Sequence, residues 1–111
     1  MPALRRLPVS HYEAQAVLLP SRDGKELPEG IRITVYGEYF PIRAVEPELL
    51  AGEAVAEYVR VARDQRSISG CFTKRPPEGA LIRVRYGDSQ EGELEQRFSS
   101  QAVRPLPREC K

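Results

Sequence analysis

Residues 80–104 read A-L-I-R-V-R-Y-G-D-S-Q-E-G-E-L-E-Q-R-F-S-S-Q-A-V-R. This is a strand, a polar turn bounded by glycine, and a return strand. Ile82, Val84 and Tyr86 share one face of the outgoing strand; Leu81, Arg83 and Arg85 share the other. On the return, Leu94, Gln96 and Phe98 alternate with Glu93, Glu95 and Arg97. Setting Tyr86 opposite Gly92 brings Val84 to Leu94, Arg85 to Glu93 and Arg83 to Glu95, so charges of opposite sign meet across the ladder. A register shifted by two residues instead faces Tyr86 with Leu94 and Ile82 with Phe98, leaving Arg83 beside Arg97. The first register makes the arginine face a salt-bridged solvent face rather than a stripe for phosphates.

Working outward, residues 67–73 form a short strand with Ile68, Gly70 and Phe72 on one face. Residues 31–36 alternate as well, with Ile31, Ile33 and Val35 against Arg32, Thr34 and Tyr36. Gly37-Glu38 then suits a two-residue hairpin loop, pairing Val35 with Phe40, Ile33 with Ile42 and Ile31 with Ala44. Pro41 stands against this pairing, because it has no amide hydrogen to donate at a bonded position. Residues 10–19 suit either a short helix, with a Ser10 to Glu13 capping box, or a strand with Ala14, Ala16 and Leu18 on one face.

Glu46-Pro47-Glu48 has the form of a helix start. Ala51, Ala54, Val55, Tyr58 and Ala62 follow helical spacing, which predicts a helix near 47–62. The competing reading is a turn at 47–51 followed by a long strand. The expected fold is therefore mainly β to α+β: a small, mostly antiparallel twisted sheet or barrel with one helix. It has a flexible arm at 1–9, a single domain at 10–107 and a tail at 108–111.

Ile82 to Asp88 together with Ala102-Val103-Arg104-Pro105-Leu106-Pro107 resembles the closing strands of Tudor and SH3-like small β-barrels. The resemblance covers residues 81–107. It implies binding of peptides, methylated residues or nucleic acid. Of the aromatic cage that Tudor domains carry, only Phe72 and Tyr86 are candidates.

Composition bounds the function. The chain has 111 residues, 41% hydrophobic and 30% charged, with net charge +1. These values suit one globular domain. No apolar run approaches the roughly 18 residues of a membrane helix, so no membrane partner is expected. The start of the chain lacks the apolar run of a signal peptide, so a cytoplasmic setting is expected. Residues 1–58 hold six basic and nine acidic residues, and residues 59–111 hold eleven and seven. The basic half suggests a nucleic-acid surface made of Arg60, Arg63, Arg66, Lys74, Arg75, Arg83 and Arg85.

The catalytic inventory is thin. His11 is the only histidine, and a pair with Cys71 has no local support. Cys71 and Cys110 match no metal-ligand spacing, so no metal and no cofactor are expected. They can form a disulfide in an exported protein or remain free thiols in a reducing compartment. The sharper surface is the set Arg32, Tyr36, Tyr39 and Arg43, residue types favoured at interface hot spots. The expectation is a non-enzymatic binding or adaptor module that meets a protein partner or another copy of itself. Nucleic-acid binding is the alternative, and a small enzyme with a Cys/His site comes third.

Overall fold

Of residues 10–19, open to both helix and strand readings, 10–18 belong to a strand, β2 (Val9–Leu18), and residue 19 lies outside the described residues. The computed structural model describes residues 5–18, 29–42, 46–87 and 90–109, with the backbone alone at 29 and 106–109. Tyr12 and Ala14 of β2 are buried, whereas His11 and Glu13 are exposed, the period of two that a half-buried strand requires. Ser10 caps no helix. Its hydroxyl donates to the Tyr36 carbonyl at 3.1 Å.

Strand β3 (Glu29–Gly37) runs antiparallel to β2 on one side and to β7 (Ser67–Phe72) on the other. Ile31, Ile33, Val35, Ile68 and Phe72 point inward, as their alternation predicts. The hairpin expected after Gly37 is not formed. β3 already has neighbours on both edges, and residues 38–42 leave the ladder. Ala44 of that pairing lies outside the described residues. Phe40 turns back instead and is fully buried, with its N–H donating to the Gln65 carbonyl at 2.7 Å.

The expected helix at 47–62 is replaced by three strands: β4 (Glu48–Ala51), β5 (Ala54–Val55) and β6 (Glu57–Val61). Gly52 takes φ +63°, a left-handed conformation that costs glycine little. It turns β4 back on β5, pairing Leu50 with Val55 and Ala51 with Ala54. Helical spacing among alanines is a weak local preference. Burial of Leu49 and Ala51 against β8 (Ile82–Tyr86) overrides it.

The last strands are β1 (Arg5–Arg6), β9 (Gln90–Glu93) and β10 (Val103–Glu109). One sheet has the order β1-β9-β8-β4-β5 and the other β10-β2-β3-β7-β6. Among the described residues only the β1/β9 and β10/β2 pairs are parallel. The fold is thus mainly β, in two mixed sheets rather than one closed barrel. The chain passes between the sheets five times, and the two shortest crossings are the corners from β1 into β2 and from β5 into β6. The corner residues Leu7 and Ala56 are buried, and their amides donate to Glu91 and Leu49 carbonyls, each at 2.9 Å. Arg5 to Leu7 of the expected arm therefore belong to the sheet and core. Proline at 105 and 107 fits β10, which is an edge strand among the described residues.

In the 80–104 stretch, Tyr86 faces Gln90, Arg85 faces Glu91, Val84 faces Gly92 and Arg83 faces Glu93. Both registers considered from the sequence are wrong by an even number of residues. Such a slip keeps every side chain on its own face, so alternation cannot detect it. Gly92 supplies the reason for the observed register. A Cβ there would stand 2.7 Å from the Leu7 carbonyl oxygen and 3.0 Å from a Val9 methyl, so the crossing from β1 to β2 requires glycine at this point. Beyond β9, Leu94 and Phe98 stay in the core, and their amides donate to Ile82 and Ala80 carbonyls, each at 3.0 Å.

Candidate functional site

The outer face of the second sheet carries Tyr36. Its ring stacks on His11 across the β2/β3 ladder, with centroids 4.7 Å apart and 11° between planes. Ser10 Oγ lies 2.9 Å from His11 Nδ1. With its own proton on the Tyr36 carbonyl, that hydroxyl accepts from Nδ1–H. The Tyr36 hydroxyl donates to Glu13 Oε2 at 3.2 Å. Arg32 lies on the same face, four residues along β3. Its buried Nε has no hydrogen-bond partner among the described residues. Tyr39 lies past the end of β3 and is 57% exposed. Arg43 lies outside the described residues. Of the four expected surface residues, the fold therefore places Arg32 and Tyr36 on one sheet face.

Partial burial pushes the Tyr36 phenol above its ordinary value, with the Glu13 charge and hydrogen bond adding to it and Arg32 pulling the other way. The unfolded chain then gives up this proton first as pH rises past about 10, so the contribution to stability is full below that pH and is lost above it. Glu13→Ala removes both Glu13 causes, the charge and the hydrogen-bond acceptor, and leaves burial. We expect the Tyr36 pKa to fall in that variant, read by a tyrosine-ring carbon NMR titration with Tyr36→Phe as the assignment control. An unchanged midpoint refutes the coupling to Glu13.

The seven basic residues are not gathered into one track. Arg60, Arg63 and Arg66 surround the β6–β7 hairpin and are exposed. Lys74 and Arg75 follow the other end of β7, about 17 Å away along the strand. Arg83 and Arg85 stand on the outer face of the first sheet. Both pair with Glu91 Oε1, at 3.3 and 3.2 Å, rather than with Glu93 and Glu95. His11 and Cys71 are also apart. They sit across from Tyr36 and Arg32, respectively, and those positions are about 13 Å apart along β3. Cys71 is buried and disulfide-bonded; the chain's other cysteine, Cys110, lies outside the described residues. Among the described residues no three of His, Cys, Asp and Glu gather where they could hold a metal, and no helix is long and apolar enough to cross a membrane.

A groove of about 350 Å³ runs beside β6. It is lined by Pro41, Ile42, Glu46 and Pro47, and by Tyr58, Val59, Arg60 and Val61 of β6. β6 bulges between Glu57 and Arg60. Tyr58 takes φ +55° there, a conformation uncommon for a residue with a Cβ. The bulge leaves Glu57 and Tyr58 both exposed before Val59 turns back to the core. Tyr58 is 50% exposed and Ile42 67%. The hairpin reading turns Ile42 inward and the helix reading puts Tyr58 on its apolar stripe; the competing strand reading, with Val59 and Val61 inward, is the one that turns Tyr58 outward, as the structure has it. The signal that could have found Ile42 is Pro41, which already spoke against the hairpin.

Fold and surface together define a small two-sheet β domain with an apolar groove along one sheet edge. No family model, curated protein or solved structure matches the chain.

Proposed function

We propose that this chain is a non-enzymatic binding module acting through protein contacts, with the groove beside β6 as its contact surface. One observation carries the reading: the exposed Ile42 and Tyr58 line the same groove, next to Arg60. Apolar side chains left in water beside tyrosine and arginine are what an interface hot spot uses. The His11–Tyr36 face draws less support, because Tyr36 is already engaged by His11 and Glu13. Nucleic-acid binding draws less support because its basic residues fall in three places. Kinship of residues 81–107 with the Tudor and SH3-like barrels belongs to the same proposal, since those families include peptide binders. The disulfide at Cys71 favours an oxidising compartment over the cytoplasm expected from the sequence.

Affinity capture with quantified rebinding, run beside light scattering for self-association, tests the surface. We expect the double variant Ile42→Ser, Tyr58→Ser to weaken the contact by about 30-fold or more and Tyr36→Phe to leave it unchanged. Absence of any partner or oligomer, or the opposite ranking of the variants, refutes the proposal.

A further inference from the structure

We propose that the occupant of the groove is an extended peptide that adds to the edge of β6 at Val61, with an apolar side chain between Ile42 and Tyr58 and acidic residues toward the β6–β7 hairpin. This rests on the reading of the groove as the contact surface. β6 is the last strand of its sheet among the described residues. Its register on β7 sets Arg60 opposite Ser69 and Val61 opposite Ile68, and Ala62 N–H donates to the Ser67 carbonyl at 2.9 Å. Hydrogen-bonded and open positions alternate in an antiparallel ladder. Arg60 therefore faces β7 with its main-chain groups, Ala62 gives its N–H to β7 and its carbonyl to the Gln65 N–H at 2.9 Å, and Val61 turns its N–H and C=O away from the sheet, on the groove side. A single peptide residue can satisfy both groups.

The bulge at Tyr58 sets the length of the pairing. It breaks the edge just before Arg60, so a strand cannot run the whole length of β6. A peptide paired at Val61 must leave the ladder there, which brings its next side chains over Tyr58 and Ile42. Charge selects the sequence on the other side. Arg60, Arg63 and Arg66 are exposed, and the ion pairs among the described residues are those of Arg83 and Arg85 with Glu91. Asp64, in the same hairpin, has an oxygen accepting from the Arg66 amide at 3.1 Å. A second copy of the chain is disfavoured as occupant. Pairing two edges at Val61 crowds Arg60 and Arg63 of both copies around one axis, at the cost of like-charge contacts. In the commoner antiparallel sense, the acidic residues precede the apolar anchor.

The probe is a dye-labelled peptide, Asp-Glu-Asp-Thr-Leu-Thr-Leu-Gly, compared with the same peptide carrying lysine at its three acidic positions and with a version N-methylated at the threonine before the first leucine. We expect the lysine peptide to bind the wild-type chain about tenfold more weakly at low salt, and the double variant Arg60→Glu, Arg63→Glu to reverse that preference. The N-methylated peptide should lose binding, and the Val61 amide should gain hydrogen-exchange protection in the complex. Equal binding of the acidic and lysine peptides overturns the inference, as does binding without protection of Val61. A peptide seated between Ile42 and Tyr58 with Val61 unprotected leaves the groove as contact surface and removes strand addition alone.

Discussion

Phe40→Ala is expected to lower the free energy of unfolding by about 3–5 kcal/mol. The ring is fully buried, yet Phe40 belongs to no strand. It is held from both main-chain sides. Its N–H donates to the Gln65 carbonyl, and Gln65 Nε2 donates to the Phe40 carbonyl at 3.2 Å. The ring lies over Gly37, where a Cβ would come within 2.9 Å of its Cζ. A site framed by main-chain bonds and by glycine relaxes little when the ring is removed, so the cavity term adds to the lost transfer term. A domain of this size has about 5–15 kcal/mol in all, so the variant loses a large share of its stability. Urea unfolding followed by tyrosine fluorescence reads the loss as a lower midpoint at unchanged slope. A loss below about 1 kcal/mol would mean that Phe40 does not fill the core.

Opening the disulfide at Cys71 is expected to cost about 2–4 kcal/mol. Cys71 sits on β7, on the outer face of the second sheet, and packs with Val17 in a cluster separate from the main core. The chain has one other cysteine, Cys110. A bond between these positions closes a loop of roughly 40 residues, for which the chain-entropy account gives about 4 kcal/mol. Reductant should therefore lower the melting temperature of the wild-type chain by about 10 °C or more. Cys71→Ser and Cys110→Ser should each melt near the reduced wild type and ignore reductant. A wild-type chain equally stable with and without reductant refutes the contribution.

Both effects lie in places the sequence shows only in part. Phe40 is legible as apolar, but its hairpin pairing is wrong because β2 and β7 had already taken both edges of β3. Cys71 and Cys110 leave two redox outcomes open. Arg83 and Arg85 are legible as salt-bridged, yet their partner is Glu91, because a slip of two residues changes the neighbour and not the face. Arg32 and Tyr36 are correctly placed on one face by alternation alone. Tyr58 and Ile42 are not legible as a pair, since they line one groove only once β6 comes beside Pro41, Ile42 and Pro47.

The sequence by itself determined which residues of 31–36, 67–72 and 82–86 face the core. A period of two is a local property, and hydrophobic burial enforces it whichever strands become neighbours. The tertiary structure decided between the helix and strand readings of 47–62, and it alone decided that β3 is central, that Gly92 lies under the β1–β2 crossing, and that a groove opens beside β6. Each of these depends on contacts between segments far apart in the chain, and the burial and main-chain pairing gained there outweigh local propensities worth a fraction of a kcal/mol per residue.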